Sequence, residues 1–97
     1  DANINVLESR HAGHVAIGKY DEVAQIVTGE KNASAKDGVK WVSALVSELN
    51  IPPLSAHGMK EGHISEAVQK TLNASSYKGN PILLSAEELK GILENAL

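Results

Sequence analysis

The chain has 97 residues, 42% hydrophobic and 22% charged, with a net charge of -3 and no cysteine. That balance describes one small globular domain with a modest core, and it excludes disulfide scaffolds, thiolate nucleophiles and cysteine-based zinc sites. The nine basic residues are scattered rather than clustered, unlike the basic face that a phosphate backbone requires. One Trp, two Tyr and no Phe leave almost no platform for stacking nucleic-acid bases. No apolar run reaches the roughly 18 to 20 residues of a membrane span, and no charged-then-apolar signal peptide opens the chain. These features lead us to expect no nucleic-acid and no membrane partner, and the lack of cysteine fits a cytoplasmic location.

Strict alternation of apolar and polar residues is missing, so the pattern is helical throughout and predicts an all-α multi-helical bundle of about five helices. The sequence opens Asp1-Ala2-Asn3 without an initiator Met, already inside helical periodicity, which suggests a piece of a longer polypeptide. The first predicted helix covers residues 3–16, with Ile4, Val6, Leu7, Val15 and Ile17 as its apolar positions. A break is expected near Gly13 or Gly18, because glycine lowers helix propensity by about 1 kcal/mol relative to alanine. The second covers residues 20–28. Tyr20, Val23, Ala24 and Val27 form its stripe, Asp21 and Glu22 suit its positive end, and Gly29 is a C-cap candidate.

The third helix carries the clearest periodicity. Val39, Val42, Leu45, Val46 and Leu49 repeat at helical spacing and predict a core-facing stripe, with Trp41 beside it. Ser34 is its expected N-cap, Asp37 the acid of a capping box, and Pro52-Pro53 its stop. The fourth helix is predicted over residues 61–74, with Ile64, Ala67, Val68, Thr71 and Leu72 on one face. The turn Gly79-Asn80-Pro81 leads to the fifth, residues 85–97. That helix opens with the box Ser85-x-x-Glu88, and Leu89, Ile92, Leu93, Ala96 and Leu97 line one face.

Few residues suggest chemistry. Glu8, His11 and His14 are spaced so that one helix face could in principle hold a divalent metal, but exposed or half-buried helix histidines are the plainer reading. His57 and His63 flank Gly58 and Gly62 and read as loop and helix-start residues. The eight glycines form no dinucleotide-binding or P-loop pattern, and no nucleophile-elbow sequence occurs. The sequons at Asn32 and Asn73 are read as chance matches. By themselves these residues build no active site.

Several of the same elements, in order, resemble the C-terminal part of the iron-containing (group III) alcohol dehydrogenases. Asp1-Ala2-Asn3 is similar to the stretch after that family's metal-binding His-Gly. Lys19-Tyr20-Asp21-Glu22-Val23-Ala24 resembles its Lys-Tyr-x-x-Ile-Ala element, and Ser47-Glu48-Leu49-Asn50-Ile51-Pro52 its Gly/Asn-Ile-Pro turn. Gly58-Met59-Lys60-Glu61-Gly62-His63-Ile64 is similar to a family helix start. Gly79-Asn80-Pro81 and Ser85-Ala86-Glu87-Glu88-Leu89 resemble the family's ending. The chain departs where the family has Leu-Pro-His, carrying Leu7-Glu8-Ser9, and where it has Arg after Asn-Pro, carrying Ile82.

The resemblance implies that the 97 residues are the C-terminal portion of a dehydroquinate synthase-like helical, metal-binding domain. It places the parent's four metal ligands and nucleotide-binding domain upstream of Asp1, so no residue here inherits a metal or cofactor role. The implied parent is an alcohol/aldehyde oxidoreductase using Fe²⁺ and NAD(P), with the metal polarising the carbonyl that exchanges a hydride. Asn3 and Ser76 are the implied substrate-cleft residues. No catalytic residue is assigned, and neither cofactor nor activity is expected of these residues alone. The implied partner is the rest of the parent polypeptide, with a homo-oligomer through an exposed apolar face as a further option. Two alternatives stand beside this reading: an independent small helical interaction or binding module, and a small metalloprotein using Glu8, His11 and His14.

Overall fold

Five α-helices and three short 3-10 turns, with no strand, make up the computed structural model, which describes all residues from Asp1 to Leu97. The all-α expectation is met. No helix is long and apolar enough to cross a membrane. The chain divides into two compact units, Asp1–Ile51 and Pro52–Leu97.

The first unit holds α1 (Ala2–Arg10), α2 (Val15–Thr28) and α3 (Ala35–Glu48). The break expected near Gly13 or Gly18 falls at residues 11–14, so the stretch predicted as residues 3–16 is divided between α1 and the start of α2. His14 adopts an extended conformation, and its Nδ1 accepts the Ala16 N–H at 3.1 Å, capping a helix that begins five residues earlier than residue 20. Gly13 lies in that turn, whereas Gly18 is carried inside α2. At the far end of α2, Gly29 turns left-handed (φ 74°), a conformation that glycine adopts without steric cost.

Two devices start α3. The expected box is present: the Ser34 N–H donates to Asp37 Oδ2 at 3.0 Å, and the Asp37 N–H donates back to Ser34 Oγ at 3.4 Å. Asp21, expected near the start of α2, instead lies within it and accepts the Ala35 N–H at 2.7 Å. A helix leaves its first N–H groups without internal partners, and here α2 supplies one from the side. The end of α3 is a Schellman motif. Asn50 is left-handed (φ 52°), its N–H bonds to the Ser47 carbonyl, and the Ile51 N–H reaches the Val46 carbonyl at 3.1 Å. Pro52 and Pro53 then prevent continuation.

The contact between α2 and α3 is made through small residues. A Cβ built on Gly38 would lie 2.8 Å from Ala24 Cβ and 3.2 Å from Ala24 Cα, so the two backbones meet closely there. Ile4, Val6 and Leu7 from α1, Ala24 from α2, and Ala33 and Ala35 are the buried apolar residues of this unit. The α3 stripe departs from expectation. Val42, Val46 and Leu49 are 50%, 39% and 61% exposed, and Trp41 is 40% exposed. The close packing of α3 runs through Ala35 and Gly38, near its start, which leaves the later turns of the stripe uncovered. Val23, expected on the buried side of α2, is exposed as well.

In the second unit a 3-10 turn, Leu54–His57, is tied to the chain end. The Leu54 N–H donates to the Ala96 carbonyl at 2.8 Å, and Ser55 Oγ donates to the Leu97 carbonyl at 2.6 Å. A second turn, Glu61–His63, feeds α4 (Ile64–Asn73), and a third, Ser75–Gly79, precedes α5 (Ala86–Asn95). Ile64 and Val68, one turn apart on α4, are buried, as are Leu84 and Leu89. Full burial of such a side chain contributes about 1.5–3 kcal/mol, so these four anchor the unit. The Ser85/Glu88 box stands as expected, with the Ser85 N–H 2.6 Å from Glu88 Oε2.

Candidate functional site

Asn3 sits in the first turn of α1 and is half-buried. Its Nδ2 donates to the Tyr20 hydroxyl oxygen at 3.2 Å, joining α1 to α2 across 17 residues of sequence. A phenol oxygen both donates and accepts, so it satisfies the Asn3 carboxamide in either orientation. The neighbouring Asn5 is held separately, its Nδ2 donating to Asp1 Oδ1 at 3.1 Å. The sequence singled out Asn3 but not Tyr20 as its partner. A long-range polar contact leaves no trace in helical periodicity, and Tyr20 read as an apolar stripe position and as part of the Lys19–Ala24 element, not as a partner of Asn3.

Ser76 is exposed in the 3-10 turn Ser75–Gly79, in the other unit. The segment around it is fixed by its neighbours. The Tyr77 hydroxyl donates to the Leu84 carbonyl, and Asn80 Nδ2 donates to the Ile82 carbonyl at 2.6 Å. The Gly79-Asn80-Pro81 turn is thus braced on both sides, and it presents Ser76 on a defined loop.

The histidines are spread over separate tasks. Glu8 pairs with Lys36 at 3.0 Å, and His14 Nδ1 is taken by the Ala16 N–H. The His11 and His14 rings lie 6.4 Å apart, edge to face. His63 Nδ1 accepts the Lys60 N–H at 3.2 Å, and His57 is exposed in its own turn. No three His, Asp or Glu residues are brought together as metal ligands would be. These side chains do not fit an iron site.

Two surface hollows carry mixed linings. One, of about 410 Å³ between α4 and α5, has Ile64, Val68, Glu61, Glu87, Lys90 and Glu94 among its lining residues. The other, of about 400 Å³, is lined by Glu22, Gln25, Ile26, Gly29 and Lys31. Neither contains Asn3 or Ser76.

Compared with known proteins, residues 5–97 match the family model described as Fe-containing alcohol dehydrogenase family, C-terminal. Ser76 and Tyr20 fall within the matched span, and Asn3 lies just before it. No curated protein and no solved structure matches the chain.

Proposed function

The chain belongs to the Fe-containing alcohol dehydrogenase family, in its C-terminal part, and we propose that it walls one side of the active-site cleft of an NAD(P)-dependent alcohol/aldehyde oxidoreductase. The observation that carries this is the family match itself, which runs almost end to end over an all-helical chain. On this reading the metal ligands and the nucleotide-binding domain belong to residues outside these 97. No step of the hydride transfer is assigned to a side chain of this chain. Its part is to build a helical wall and to present polar groups toward the substrate, with Asn3 on α1 and Ser76 on the braced loop before α5 as the cleft residues.

The 97-residue chain should show no turnover and no NAD(P)H binding by itself. The polypeptide translated from the whole coding sequence should reduce short aldehydes when supplied with Fe²⁺ and NAD(P)H. Turnover by the isolated chain, or none by the whole polypeptide, would reject the reading.

A further inference from the structure

We propose that Tyr20 is the positioning residue for Asn3, holding its carboxamide at the substrate side of α1. This rests on the dehydrogenase reading and on Asn3 as a cleft residue. Asn3 is near the first residue of its helix, where the backbone is held by few internal hydrogen bonds and frays readily. Two constraints act against that. Ile4 and Leu7 are buried and fix the rotation of α1 about its axis. Tyr20 Oη, on the neighbouring α2, receives the Asn3 amide at 3.2 Å and fixes the side chain. Tyr20 is itself set by the length of α2, whose ends are pinned by the His14 cap and the left-handed Gly29. The hydroxyl therefore stands on a rigid element, and the group that it holds stands on a helix end. Orientation of a polar group in a cleft matters steeply, since small misplacements cost large factors in rate.

The test uses the whole polypeptide with Fe²⁺ and NAD(P)H and compares Tyr20→Phe, Asn3→Ala and the double variant. Tyr20→Phe removes one oxygen and keeps the ring. We expect kcat/KM to fall about tenfold in Tyr20→Phe, mostly through kcat. Because Tyr20 acts through Asn3, the double variant should be no slower than Asn3→Ala alone, a non-additivity that a merely structural tyrosine would not produce. A second reading needs no turnover. The Asn3 side-chain NH₂ resonances should shift in Tyr20→Phe, while the melting temperature changes little. An inactive wild type rejects the dehydrogenase reading and this inference with it. An active wild type with unchanged Tyr20→Phe kinetics, additive losses in the double variant, or unmoved Asn3 resonances rejects the inference alone.

Discussion

Gly38 is the residue on which the α2–α3 crossing turns. Replacing it with alanine sets two effects against each other. A helix interior gains about 1 kcal/mol from Gly to Ala by propensity, while forcing a methyl into a filled contact costs about 1–3 kcal/mol. The new Cβ would lie 2.8 Å from Ala24 Cβ, and Ala24 has no flexible end that could yield. Overpacking wins, so Gly38→Ala should lower the unfolding free energy by about 1 kcal/mol. Gly18, also helical, has nothing within 4 Å of its built Cβ. Gly18→Ala should therefore raise stability by about 0.5–1 kcal/mol. Urea titrations of the two variants check both signs, and a stabilised Gly38→Ala would show that the helices separate at no cost. The sequence pointed to Gly18 as a possible break and not to Gly38 as a packing site, because the close approach at Gly38 is made by a neighbour on another helix.

At the scale of elements, the helix starts were the legible part. Ser34/Asp37 and Ser85/Glu88 are local boxes whose two members lie within one turn, and both form as their spacing predicts. The stop after α3 was equally readable from Pro52-Pro53, since proline removes a backbone donor and restricts the residue before it, whereas the left-handed Asn50 was not foreseen. The α1/α2 break was harder, since its cap is His14, a residue outside the usual Ser, Thr, Asp and Asn set. The α3 box also carries a pH dependence. The Ser34 backbone N–H, then its hydroxyl, hold Asp37 below its ordinary 3.8, with Lys40 adding to the effect. A carboxylate pKa lowered in the folded state contributes stability above its ordinary pKa, and that stability is lost as pH falls through the lowered value. Amide exchange in the first turn of α3 should speed up as pH is taken below 3.8, beyond the intrinsic trend, and Asp37→Asn should lack that acid transition. Matching acid profiles in both proteins would mean that the box does not hold the helix end. On α4, Lys70 lowers Glu66 and is raised by it, so that exposed pair weakens both in acid and at pH above the ordinary 10.5 of the lysine.

For the molecule as a whole, periodicity correctly gave an apolar stripe on α3 but not what lies against it. Val42, Val46 and Leu49 recur one turn apart and share a face, and all three are exposed, with Trp41 beside them. Hydropathy reports that a face is apolar, whereas burial depends on a second surface, and in the first unit Ala35 and Gly38 give α3 its packing instead. Clustered apolar side chains left in water favour association, because each square ångström removed from water contributes about 25 cal/mol. The isolated 97-residue chain should therefore sediment as a concentration-dependent mixture above tens of micromolar, about the range where such weak contacts saturate. Trp41 lies beside this face, so its fluorescence should shift to the blue as association proceeds. A Val42→Ser/Val46→Ser double variant should stay monomeric with an unchanged far-UV spectrum, since these side chains are only partly buried and α3 keeps both of its caps. A wild-type chain that remains monomeric across that range would show that the face is tolerated in water, and an associating double variant would place the contact elsewhere.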